Sequence, residues 1–72
     1  MPDDDMMDQA EELFRRFGNM PVRDVLGLFL AGNKGMKYPP NAMQFAYRLR
    51  TDGRFEVKGR TPEHITIWGL KG

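Results

Sequence analysis

The sequence has no cysteine, no serine and one histidine, His64. A disulfide scaffold and a structural zinc site, the devices that most often support small domains, are therefore excluded. A Ser/His or Cys/His nucleophile pair cannot be assembled either. Glu56 and Glu63 make no acid/base couple, because one alternates with basic strand residues and the other falls in a loop. Gly32-Asn33-Lys34-Gly35 lacks the glycine spacing of a phosphate cradle and reads as a plain turn. Long apolar runs are missing as well: the longest, 28–31, is far short of the about 20 residues a membrane-spanning helix needs. The start, Met1-Pro2-Asp3-Asp4-Asp5, is acidic where a secretory signal is cationic and then apolar, which gives an intracellular expectation. Together these absences predict a protein that is not an enzyme, uses no cofactor or metal, takes no small-molecule substrate and does not enter a membrane.

What is present is an ordinary globular composition, 40% hydrophobic and 29% charged, in 72 residues. That predicts a single domain, 1–72, with one core and about 60% of the unfolded chain's surface buried. The formal net charge of +1 conceals a partition. Residues 1–12 hold six acids and no base, whereas residues 13–72 hold all eleven bases against four acids, a net charge of +7. A basic body points to a polyanionic partner, because clustered Lys and Arg gain affinity by releasing counterions condensed on phosphates. The acidic start suits a helix N-terminus, with residues 1–5 prone to fray.

Met6, Ala10, Leu13, Phe14 and Phe17 form an amphipathic stripe, predicting a helix over 3–17 that Gly18 ends. After the extended link Asn19-Met20-Pro21, the stripe Val22, Val25, Leu26 and Phe29 predicts a second helix over 22–31. Gly27 inside it weakens the helix and suggests a close helix contact. A third helix begins near Pro40 or Asn41 and runs to Thr51, burying Ala42, Phe45, Ala46 and Leu49. Its opposite face carries Gln44, Tyr47, Arg48 and Thr51, with Asn41 at the leading edge and no acid anywhere.

Beyond Asp52-Gly53 the apolar period changes from 3.6 to 2. Phe55 and Val57 in one run, and Ile65 and Ile67 in another, predict two antiparallel strands joined by the loop 59–63. Facing both aliphatic sets to the core sets Val57 opposite Ile65 and Phe55 opposite Ile67. That register turns Trp68 outward on an edge strand, opposite Arg54, whose guanidinium can stack on it. His64 becomes a strand residue beside Lys58. Met6, Met7 and Met20 read as core or core edge, while Met36 and Met43 are free to meet a partner.

The resulting class is α+β, a three-helix bundle followed by a two-stranded hairpin. The order of elements is similar to the winged helix-turn-helix family of DNA-binding domains. Val22-Arg23-Asp24-Val25-Leu26, Asn41 to Leu49, Arg54-Phe55-Glu56-Val57 and His64-Ile65-Thr66-Ile67-Trp68 carry the resemblance. The connection 32–39 is longer than the tight turn of the simplest members. The resemblance implies that the third helix enters the major groove and that the hairpin loop lies on the backbone or in the minor groove. Base readers would be Asn41, Gln44, Tyr47, Arg48 and Thr51, with Lys58 and Arg60 on the wing and Lys37 in the loop before the helix. By side-chain chemistry alone, Arg48 can pair bidentately with guanine, and Asn41 or Gln44 with adenine.

The partner expected is double-stranded DNA, in a regulatory role. One rival is a protein-interaction module that uses the hairpin edge, Met43 and Trp68. A homodimer suits either reading, since two copies double the contacts of so small a domain. The other rival is an RNA binder stacking bases on Tyr47, Phe55 and Trp68, which do not share a face in the expected register.

Overall fold

The computed structural model describes residues 2–72, with side chains from Asp5 onward. Among the described residues the fold is α+β: three helices against a three-stranded antiparallel sheet. The elements run α1 (Pro2–Phe17), β1 (Met20–Pro21), α2 (Val22–Ala31), α3 (Ala42–Thr51), β2 (Phe55–Arg60) and β3 (Thr66–Leu70). Met1 and the side chains of 2–4 lie outside the described residues, and with them most of the expected frayed end. Among the described residues, no helix is long and apolar enough to cross a membrane.

Each helix ends where local chemistry stops it. Gly18 takes a left-handed φ of 86° and donates its N–H to the Phe14 carbonyl at 2.9 Å, closing α1. Pro21, fixed near φ −65°, precedes α2, and the Gly32 N–H closes that helix on the Leu28 and Phe29 carbonyls. Asn33 then donates to the Phe29 carbonyl at 2.7 Å and to the Gln9 side chain at 2.8 Å, tying the end of α2 to α1. Asn41 caps α3.

The core unites Met7, Ala10 and Phe14 of α1, Val25 and Phe29 of α2, Phe45 and Leu49 of α3, and Met20, Phe55 and Trp68 of the sheet. Two tilted ring pairs join the elements. Phe29 meets Phe45 across α2 and α3, and Phe14 meets Phe55 across α1 and β2, both with centroids 5.5 Å apart. Met6 packs at the core edge, as its place on the α1 stripe predicts.

The sheet departs from the expected two-stranded hairpin. The link Met20–Pro21 pairs with β3 as a third strand, Met20 opposite Trp68, so the order is β1-β3-β2 and β3 is central. The register differs too: Phe55 lies opposite Leu70 and Val57 opposite Trp68. A shift of register between Val57 and Gly59 accommodates Lys58 as the extra residue. From Phe55 to Val57 the pairing is displaced from the expected one by three residues, an odd number that exchanges the two faces of β3; beyond the bulge the displacement is four. Trp68 is therefore buried, Ile65 and Ile67 are half-buried, and Val57 is 51% exposed. An indole offers the core more apolar area than an isoleucine, and Met20 on β1 is there to meet it. The hairpin loop is 61–65, because Gly59 and Arg60 belong to β2. His64 lies in that loop at a left-handed φ of 68° and not in a strand.

Two smaller expectations also change. Ala42 is exposed, leaving Phe45 and Leu49 as the buried positions of α3. Gly27 is exposed, and a Cβ built on it meets nothing within 4 Å, so no helix approaches it. The close approach occurs at buried Gly69, where a Cβ would collide with the Asn19 amide and come within 2.8 Å of Lys58 Cγ.

Candidate nucleic-acid interface

The site is built on α3, and its first turn is organised by a capping box. Asn41 Oδ1 accepts the Gln44 backbone N–H at 2.8 Å, and Gln44 Oε1 accepts the Asn41 backbone N–H at 3.0 Å. Both amides expected to read bases thus serve the helix start through their oxygens. The Asn-x-x-Gln spacing is the legible signal for this, and assigning both residues to base reading passes over it. Farther along, the Thr51 hydroxyl is turned back onto the Tyr47 carbonyl at 3.1 Å. Arg48 is half-buried, while Tyr47 is 56% exposed.

The same face is more apolar than the sequence suggests. Met43 is 81% and Tyr38 82% exposed. Met36, Tyr38, Pro40, Met43, Gln44, Tyr47 and Arg48, with Met6 from α1, line a cleft of about 560 Å³ between α3 and the 36–40 loop. A second groove of about 380 Å³ lies on the other side of Met43 and Tyr47, bounded by Ala46, Arg50 and the edge of Trp68. Arg50, absent from the expected site, holds its guanidinium 5.6 Å from the centre of the Tyr47 ring. Its spacing of three from Tyr47 is the sequence signal for that contact. Lys37 sits likewise over Tyr38, at 5.6 Å.

On the hairpin, Lys58 Nζ is bound to Glu56 Oε2 at 2.8 Å, and this hydrogen bond holds the Glu56 carboxyl below its ordinary range. Lys58 reaches a phosphate only by leaving Glu56. Arg60 is exposed at the end of β2 and makes no ion pair among the described residues. The loop after it is closed by the Thr61 N–H on the Ile65 carbonyl at 2.9 Å and the Ile65 N–H on Thr61 Oγ1 at 3.2 Å.

Arg54 does not stack on Trp68. Its guanidinium binds both Asp52 oxygens at 2.9 and 3.0 Å, Glu11 at 3.0 Å and Asp8 at 2.6 Å. The turn into β2 is thereby clamped to α1. The hydrogen bond from Arg54 is the main reason the Asp52 carboxyl titrates below its ordinary range. Asp52 also accepts the Arg54 backbone N–H at 3.0 Å, which shapes the turn.

Burial removes two aromatic rings from surface chemistry. Phe55 is 3% and Trp68 8% exposed, which leaves Tyr47 alone of the three expected base-stacking platforms. Trp68 likewise presents only an edge to a partner, so Met43 is the exposed member of the expected protein-contact pair. No family model matches the chain, and neither a curated protein nor a solved structure matches it.

Proposed function

We propose that the chain binds double-stranded DNA as a winged helix-turn-helix protein, with α3 in the major groove and the 61–65 loop, led by Arg60, on the sugar-phosphate backbone. A regulatory role extends that reading. The observation that carries it is the charge of the segment 41–60, where five bases stand against two acids. Both acids are bound to neighbouring bases, Asp52 to Arg54 and Glu56 to Lys58. Arg50 and Arg60 make no ion pair among the described residues, so α3 and the wing keep a basic surplus. The order helix, short extended link, two helices, hairpin supports the same reading, being similar to that family's.

Arg48→Ala should weaken binding by about 1–3 kcal/mol and relax preference at one base position, whereas Arg60→Ala should weaken all duplexes alike and reduce the salt slope by about one. Fluorescence anisotropy on duplexes varied one base pair at a time separates the two effects. Unchanged affinity in both variants, with folding verified by circular dichroism, excludes this docking.

A second reading rests on the cleft beside α3. Exposed Tyr38, Met43 and Tyr47 around it are the kind of surface that takes apolar side chains of another protein. It predicts saturable protein binding by a chain that shows no affinity for DNA.

A further inference from the structure

We infer that the chain forms a two-fold dimer through the groove between the end of α1 and α2, with Phe17 of each copy seated over Gly27 of the other and Arg23 facing Asp24 across the axis. This surface shares no residue with the two clefts on α3, so the inference is independent of the DNA-binding reading and leaves α3 free.

Three features meet in this groove, and nothing within a single chain accounts for them. The first is Phe17, where the apolar stripe of α1 runs on past the core: Ala10 and Phe14 are buried, but Phe17 is 58% exposed, with the Arg16 guanidinium 5.8 Å from its ring centre. The second is Gly27, exposed in the middle of α2, where a glycine weakens the helix and a Cβ would meet nothing within 4 Å. The third is the pair Arg23 and Asp24, both exposed and without an ion pair among the described residues. Being adjacent on a helix, they diverge around its axis and do not face each other. Gly27 lies one turn further on, and Phe17, Met20, Arg23, Asp24, Gly27 and Leu28 together line a hollow of about 540 Å³.

Self-complementarity identifies the occupant as a second copy. A two-fold contact sets a patch against itself, so the patch must carry both halves of every interaction. This one carries a projecting ring and a hollow, and an exposed cation beside an exposed anion. The ring enters where Gly27 has no side chain to bar it, and two Arg23–Asp24 pairs form at once. A partner of one charge sign would match one of these two side chains and oppose the other.

The test is sedimentation velocity of the full chain without DNA, from low to high micromolar concentration. Wild type should pass from monomer to dimer across that range. Gly27→Gln introduces a better helix former into open space, so circular dichroism should show the fold retained while the chain stays monomeric. Arg23→Asp and Asp24→Arg should each weaken association about tenfold, because two pairs turn from attraction to repulsion. An equimolar mixture of these two variants should dimerise as wild type does, since one copy then brings two acids to the axis and the other two bases. That recovery is specific to a two-fold contact at this pair. A wild type that is monomeric throughout, a Gly27→Gln variant that dimerises like wild type, or a mixture as weak as its components overturns the inference. None of these outcomes bears on duplex binding, which titration with DNA tests separately.

Discussion

Trp68→Ala should lower the thermal midpoint by roughly 12–40 °C, the consequence of losing about 3–5 kcal/mol from a buried aromatic position. Trp68 is 8% exposed and lies on the central strand between Met20 and Val57. The cavity left behind would adjoin Met20 and the α3 side of the sheet, where no neighbouring backbone can close it without breaking the ladder. A chain of this size has only about 4–11 kcal/mol of stability in all, so the substitution removes a large share of it. Thermal unfolding followed by far-ultraviolet circular dichroism measures this. A midpoint within a few degrees of wild type would place the indole outside the core.

The misassignment of that residue has a physical origin. In His64-Ile65-Thr66-Ile67-Trp68 both alternating sets contain something apolar, so the period of two fixes a strand without fixing which face is inward. An isolated hairpin would bury the isoleucines. The choice is settled by Met20–Pro21, a strand of two residues, too short to leave any periodic signal. The bulge at Lys58 is equally silent in the sequence. Helices were legible because their signals are redundant. Stripe, flanking glycine and terminal charge agree for α1, and the expected range differs from Pro2–Phe17 by one residue.

Loss of the Arg54 clamp is the second large effect. Arg54→Ala should cost about 2 kcal/mol at neutral pH, the range for charge-assisted hydrogen bonds to partly buried carboxylates. Most of that belongs to Asp52 and Glu11, whose side chains are 22% and 25% exposed, while Asp8, 64% exposed, adds little. The effect is pH-dependent with a definite sign. Arg54 holds the Asp52 carboxyl below its ordinary value of 3.8, so the folded state binds that proton less readily than the unfolded chain. Stabilisation from the pair is complete above pH 4 and disappears as the pH falls through the depressed value. The gap between wild type and Arg54→Ala should accordingly narrow on acidification. Urea unfolding at pH 7 and at pH 3 compares the two, and a gap that is constant across this range would mean that Asp52 is not the partner that matters.

The candidate site was legible in part. Composition alone marks α3 as an acid-free basic helix, and the exposure of Met36 and Met43 agrees with their place off the apolar stripes. What composition cannot show is which polar groups are already committed. Asn41 and Gln44 spend their oxygens on the helix start, Thr51 turns back on its own helix, and Lys58 is bound to Glu56. The clamp on Arg54 is legible only as far as Asp52, two residues away; Asp8 and Glu11, 46 and 43 residues distant, are brought to it by the fold alone.

The measurement that bears most directly on the central claim is titration of the protein into a fluorescent mixed-sequence DNA duplex over a series of salt concentrations, with the matched single strand and an RNA duplex alongside. Proposed contacts from α3 and the wing predict duplex binding that weakens steeply with salt, the slope counting several phosphates, and that exceeds binding to either control. Absence of duplex binding at low salt, or equal and salt-insensitive binding to all three, would contradict the claim and leave the apolar cleft beside α3 as the functional surface.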